Sequence, residues 1–257
     1  MAATASPSSQ RKNASAASRT QRAPHIPRQP LPSTKIISLD HLRLHLEDRT
    51  HLTTSTVEVG GGNYRITHPA AADALIDEAE FDHDERLPYW ADLWPSAIAL
   101  ARSIADQNLA GRRVIELGCG LGLPSVAALA RGAEVLATDH YAATLDFAAH
   151  NARTNVGRDL RTALLDWRSP EIESLGVFDL VIGADVLYEA LSGLALAELV
   201  PRLLSPRGEA VFADPNRNTA PVFLDEMEEQ GFRTTTEIVS VEQGGRGVEI
   251  GLHRLRN

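Results

Sequence analysis

Glu116, Gly118, Gly120 and Gly122 fall at alternate positions at the end of an apolar run, Val114-Ile115-Glu116-Leu117-Gly118-Cys119-Gly120-Leu121-Gly122. Glycine has no Cβ and tolerates positive φ, so a turn of this kind lets backbone N–H groups close on a ligand. A buried parallel strand bending sharply into a helix has this form. It is not the dinucleotide fingerprint Gly-x-Gly-x-x-Gly, because Leu123 stands where the third glycine would be. Asp139 closes a second apolar run, Val135-Leu136-Ala137-Thr138, 23 positions after Glu116. A carboxylate there can accept hydrogen bonds from two ribose hydroxyls, cap the helix that follows, or do both. A third run ends at Asp166-Trp167, and a fourth, Phe178 to Ala184, ends at Asp185-Val186-Leu187-Tyr188. In the last pair either the acid orients an acceptor and the phenol lines its channel, or the acid caps a helix and the phenol fills core.

The elements that must carry these residues follow from the hydrophobic period. Strands are expected at 113–117, 134–138, 161–165, 178–184 and 209–213, with helices near 123–131, 141–154, 190–204 and 219–230. Alternating strands and helices imply α/β architecture, a mostly parallel Rossmann-like sheet with helices on both faces. Two closing strands, 232–242 and 247–255, joined through Gly244-Gly245, make an antiparallel hairpin. Every glycine and acid above then lies at the carboxyl edge of the sheet, where open α/β sheets bind ligands. Ahead of this core, Pro95 opens a helix to about residue 106. Three segments are expected: a disordered basic tail at 1–33, an extension at 34–90, and the α/β domain at 91–257. Within the extension, Leu42, Leu44 and Leu46 alternate with Arg43 and His45 as in a half-buried strand. Val57, Val59, Gly60-Gly61-Gly62-Asn63, Tyr64 and Ile66 read as a hairpin with a glycine loop, and 71–79 as a short helix. On this reading His41 and His45 lie on a solvated strand face, and no Cys/His/Asp cluster has metal-ligand spacing, so no metal is expected.

Composition narrows the partners. The chain has 257 residues and a formal charge of −9. Residues 1–39 hold six Lys or Arg and no acid, which leaves 19 basic and 34 acidic residues in the rest, a balance of −15. Such a body repels phosphate backbones, so nucleic acid is not an expected partner, and a basic protein surface is favoured. One cysteine excludes an internal disulfide. Cys119 has no base beside it in the sequence and reads as packing. No apolar run reaches membrane-spanning length. A cytoplasmic setting is expected, with the mitochondrial matrix as the alternative, because the Arg- and Ser-rich, acid-free start is similar to a transit peptide.

Glu-x-Gly-x-Gly-x-Gly resembles motif I of the class I, seven-strand S-adenosylmethionine-dependent methyltransferases. That resemblance implies S-adenosyl-L-methionine as cofactor. It puts the methionine carboxylate on the glycine turn, Glu116 near the amino group or sulfonium, Asp139 on the ribose, and Asp166 with Trp167 at the adenine. Trp94 either packs on the methionine end or is core. The Asn/Asp-Pro-Pro-Tyr turn of adenine and glutamine methyltransferases is absent, and Asp185-x-x-Tyr188 resembles the seven-strand protein-lysine methyltransferases. Pro88-Tyr89-Trp90-Ala91 with Trp94-Pro95, and Asp214-Pro215-Asn216-Arg217, are similar to segments of the lysine methyltransferase of the electron-transfer flavoprotein β subunit and its bacterial relatives. The resemblance, over about 86–240, implies Asp185 and Tyr188 as acceptor-side residues and a protein lysine as acceptor. N-methylation of a small amine or heterocycle is the alternative within enzymes, and a non-catalytic cofactor-binding scaffold the alternative outside them.

Overall fold

The computed structural model describes residue 31 and residues 37–46, 49–75 and 88–257. The expected tail therefore lies, residue 31 apart, outside the described residues. The main sheet has seven strands: β3 (Arg113–Leu117), β4 (Glu134–Asp139), β5 (Arg161–Leu164), β6 (Phe178–Ala184), β7 (Leu204–Asp214), β8 (Arg233–Gln243) and β9 (Arg246–Arg256), in the order β5-β4-β3-β6-β7-β9-β8. β3 to β7 are mutually parallel, and β9 runs antiparallel to both β7 and β8. The order reverses between β3 and β6, and that switch point fixes where a ligand crevice opens.

Two cores sandwich the sheet. Val114, Leu180 and Ile182 pack in one with α2 (Pro95–Ala105), α3 (Leu123–Ala130) and α4 (Ala142–Val156). Ile115, Leu117 and Val181 pack in the other with α5 (Ala190–Leu203) and α6 (Ala220–Glu229). Successive residues of a strand point to opposite faces, so all five residues of β3 are buried. The even-numbered face of β3, Val114 and Glu116, lies toward α3.

The extension departs from expectation at two places. α1 (Leu39–Leu44) is a helix, not a strand. Ser38 caps it by accepting the His41 backbone N–H (3.1 Å). Leu42 and Leu46, four residues apart, are buried while Leu44 is exposed. The apparent alternation of leucines was carried by Leu44, and the cap decides for the helix. The 71–79 helix reduces to a 3-10 turn, Asp73–Leu75, with 76–79 outside the described residues. The hairpin is present as β1 (Leu52–Val59) and β2 (Gly62–Pro69). Its loop is only Gly60-Gly61, both at positive φ (57° and 75°), and Gly62 pairs with Val59. The hairpin is fastened to α4 by two asparagines one turn apart. Asn151 accepts from Thr67 N–H (2.8 Å) and donates to Thr67 O (3.2 Å) and Leu121 O (3.0 Å). Asn155 accepts from Arg65 N–H (2.7 Å) and donates to Arg65 O (2.8 Å). Their amides complete the ladder of β2 as a neighbouring strand would, and Asn151 also holds the glycine turn. Among the described residues, no helix is long and apolar enough to cross a membrane.

Candidate active site

Each parallel strand ends at or near a carboxylate: Glu116 on β3, Asp139 on β4, Asp166 two residues past β5, Asp185 after β6 and Asp214 on β7. The switch point divides them into a β3–β5 half and a β6–β7 half.

On the first half, Gly118, Gly120 and Gly122 all have positive φ (71°, 48° and 80°). Gly118 and Gly122 are also spatially closed to a side chain, while Gly120 is in ordinary contact distance of its neighbour. A Cβ on Gly122 would stand 2.6 Å from Ala148 Cβ, one on Gly118 2.8 Å from Val186 Cγ1 and 3.1 Å from the Trp167 ring, and one on Gly120 3.4 Å from Trp90 O. The three glycines thus let α4, the Asp185 loop and the Trp90 turn converge on one bend. Gly122 is the N-cap of α3, with Pro124 in its first turn, so the bend brings the start of a helix to the crevice. Asp139 is only 7% exposed. It accepts from Gly120 N–H through Oδ2 (3.0 Å) and from Tyr141 N–H through Oδ1 (3.2 Å). It therefore fastens the glycine bend to β4 and also initiates α4, and each oxygen keeps a lone pair for a sugar hydroxyl.

Glu116 needs a correction. It is 1% exposed, and its Oε2 accepts from both the Ser125 N–H (2.9 Å) and the Ser125 hydroxyl. The carboxyl lies beneath the bend, tying β3 to the first turn of α3, and does not face the crevice as a contact for the amino group. Burial pushes its pKa up to about 8, against the opposing hydrogen bonds from Ser125. Burial also raises the Asp139 pKa. Among the described residues neither acid forms an ion pair. Asp166 differs: the Arg168 N–H bonds its Oδ1 (2.9 Å), and chiefly that bond lowers its pKa. Trp167 sits against Gly118, and its indole Nε1 is buried with no hydrogen-bond partner. Trp94 donates its indole N–H to Tyr89 O (2.7 Å) and meets the Tyr89 ring edge-on. It belongs to the turn ahead of α2, where the aromatic residues of the crevice rim gather. Cys119 is buried, and burial raises its thiol pKa well above the ordinary value, consistent with packing.

On the second half, Asp185 has φ 59°, a left-handed conformation that costs a non-glycine residue about 1–3 kcal/mol. Its N–H donates to Ala213 O (2.8 Å). Its side chain, 7% exposed, is gripped from two elements. Arg217 donates to Oδ1 through Nε (2.9 Å) and Nη2 (2.5 Å), and Ser96 at the start of α2 donates to Oδ2 (3.1 Å). Arg217 is held in turn: its N–H donates to Asp214 Oδ1 (2.6 Å), with Asn216 at φ 59° shaping the turn. The other oxygen of Asp214 is buried without a hydrogen bond among the described residues, 4.0 Å from Arg217 Nε, and desolvation raises the pKa of this acid. Asp185 does not cap α5, whose N-cap is Glu189. Tyr188 is 41% exposed and faces Tyr89 edge-on (6.1 Å between centroids), so it lines the rim and does not fill core. Arg217 and Ser96 hold Asp185 in place, and sequence reasoning left both without a role. The resemblance of 214–217 pointed to the arginine, while Ser96 carried no signal.

Against known proteins, the lysine methyltransferase profile matches residues 81–230. The chain belongs to the lysine methyltransferase family. This methyltransferase is 29% identical over 178 residues to mouse (Mus musculus) EEF1A lysine methyltransferase 3, covering 67% of this chain and 74% of the relative. It is 34% identical over 127 residues to the Danio rerio protein N-lysine methyltransferase METTL21A (47% and 55% covered), and 32% identical over 136 residues to the Xenopus laevis electron transfer flavoprotein beta subunit lysine methyltransferase (51% and 53%). It thus spans about half the length of the latter two. Among solved structures, the Synechocystis magnesium protoporphyrin IX methyltransferase with bound S-adenosylmethionine aligns at TM-score 0.52 and 19% identity, over 72% of this chain and 95% of that one. That likeness carries the fold. The cofactor of this methyltransferase is S-adenosylmethionine, and its residues fit that ligand. Asp139, held by the Gly120 and Tyr141 N–H groups, keeps acceptor capacity for the sugar hydroxyls. The glycine bend opens bare backbone to the crevice, and Trp167 Nε1, without a hydrogen bond among the described residues, offers a donor to an incoming acceptor atom.

Proposed function

We propose that the chain transfers a methyl group from S-adenosylmethionine to the side-chain nitrogen of a lysine on a protein. The cofactor supplies an electrophilic methyl on a sulfonium when bound. The chain's own residues must present a neutral, aligned amine. A lysine of pKa near 10.4 costs about 4.6 kcal/mol to deprotonate at pH 7. Asp185, fixed by Arg217 and Ser96, keeps lone pairs that accept an N–H and turn the nitrogen lone pair toward the methyl. A free aspartate would stabilise the ammonium form and oppose transfer. The Arg217 guanidinium beside it offsets that field, so the pair orients the amine without holding its proton. The anchored Asp185–Arg217 pair is the observation that carries this reading.

The surroundings favour a macromolecular acceptor. Tyr89 (48%), Tyr188, Leu191 (74%) and Leu194 are all exposed, the last three following Asp185 along the chain. An exposed apolar rim of this kind suits a docked protein surface better than an enclosed small molecule. The acidic body steers basic, lysine-bearing surfaces toward it. Incubation with methyl-labelled cofactor and a proteome extract, followed by acid hydrolysis, should release the label as methyl-lysine. Label confined to small molecules, or to another residue type, would refute the acceptor assignment.

A further inference from the structure

The helix at 39–44 creates a grouping that lies outside the methyl-transfer machinery. His41 and His45 are four residues apart and share one face of α1 and its C-cap. Both turn their Nε2 atoms onto the same oxygen of Asp146 on α4, at 2.8 Å and 2.7 Å. The two rings stand edge to face, 5.4 Å between centroids and 89° apart. One donor atom from each of the three residues lies within 4.8 Å of the other two. His-x-x-x-His on a helix plus a carboxylate from a second element is a donor set suited to zinc. Imidazole ligands favour late first-row divalent ions over magnesium or calcium. Zinc–ligand bonds of about 2.0–2.2 Å place tetrahedral donors roughly 3.3–3.5 Å apart, so each imidazole has to draw back from the carboxylate oxygen, by side-chain rotation, by less than about 1 Å to take an ion. The side chains are 46%, 25% and 21% exposed for His41, His45 and Asp146. That leaves a route for entry and room for water to complete the coordination, while shielding two of the three ligands.

We propose that His41, His45 and Asp146 bind a divalent transition-metal ion of the zinc type, which clasps the N-terminal helix to α4. Coordination takes the lone pair of each Nε2, and each neutral ring keeps its proton on Nδ1. The ion couples segments more than 100 residues apart in sequence. The far side of α4 carries Ala148 against Gly122 and Phe147 against Trp90, so the clasp braces the helix that backs the glycine bend.

The test uses the full chain, free of any affinity tag and stripped by chelator, titrated with zinc alone by calorimetry and with cobalt(II) by visible absorption. The expected result is a single tight equivalent that excess magnesium does not displace. With zinc at about a hundredfold over its Kd, the melting temperature should rise by about 5–10 °C. Since altering groups that merely support metal ligands costs 10–100-fold, losing a ligand should weaken binding by about 100-fold or more. That loss is expected in His41→Ala and Asp146→Asn, each checked for native circular dichroism, with S-adenosylmethionine affinity retained. His41 is exposed, so its replacement leaves the fold intact. Absence of tight zinc binding, or binding undiminished in both variants, would overturn the proposal and leave the trio as a hydrogen-bonded clasp. None of these readouts involves methyl transfer, so they fail or succeed independently of the proposed activity.

Discussion

Glu116 and Asp139 stand on one half of the carboxyl edge of the sheet, Asp185 and Asp214 on the other, and the two pairs solve the burial of negative charge in opposite ways. The first pair has no arginine or lysine bonded to it among the described residues. Its charge is met by backbone N–H groups and a serine, and burial raises both pKa values. The second pair shares Arg217. The lesson concerns ligands. On the first half, backbone N–H groups hold Asp139 and leave it acceptor capacity for a sugar hydroxyl. On the second, under the proposed function, an acid that has its own arginine suits a group that must arrive neutral. The strand order places that difference across the β3/β6 switch point.

Breaking the second half should have the largest effect. Arg217→Met strands Asp185 and Asp214 without their cation, and removing one member of a buried pair costs about 3–5 kcal/mol. Turnover should fall by about 100-fold or more, while the Kd for S-adenosylmethionine by calorimetry changes less than about threefold. A comparable loss of cofactor affinity would mean that the halves are not separate.

Next in size is Gly122→Ala. It forces a side chain into positive φ and to 2.6 Å from Ala148 Cβ, and should cost about 2–4 kcal/mol in urea unfolding. The same change at Gly61, where nothing lies within 4 Å, carries only the conformational cost, about 1–2 kcal/mol. Equal losses would show that the convergence on the glycine bend is not tight.

The smallest effect is a slope. Glu116 titrates near 8 when folded and near its ordinary value when unfolded. Between those values the unfolded chain has released a proton that the folded chain holds, so stability of the cofactor-free protein should fall as pH rises from about 5 to 8. Below the lower value both states are protonated and the term vanishes. Glu116→Gln should flatten that part of the stability–pH curve. An unchanged slope would locate the dependence in another group.

Much of this edge was legible in the sequence. Apolar runs closed by an acid gave β3, β4 and β6, and the alternate glycines gave the bend, because both signals are local. Glu116 was placed on the edge correctly but faced wrongly. β3 is buried on both sides, so its period does not distinguish the α3 face from the crevice, and only Ser125 nine residues later decides it. α1 was hidden because Leu42, Leu44 and Leu46 satisfy a strand period while Leu42 and Leu46 alone satisfy a helical one; Ser38 was the local signal for the helix. Asp185–Arg217 and His41–Asp146 span 32 and 105 residues. Contacts at that range depend on the topology of the sheet and leave no local trace.

The division of the edge is tested most directly by one calorimetric titration of S-adenosylmethionine into two variants, Asp139→Ala and Asp185→Asn. Charge-assisted bonds contribute about 1.5–3 kcal/mol, so Asp139→Ala should weaken binding by about 10- to 150-fold. Asp185→Asn should bind like the parent protein yet transfer no methyl. Undiminished cofactor binding by Asp139→Ala, or a matching loss in Asp185→Asn, would contradict the account.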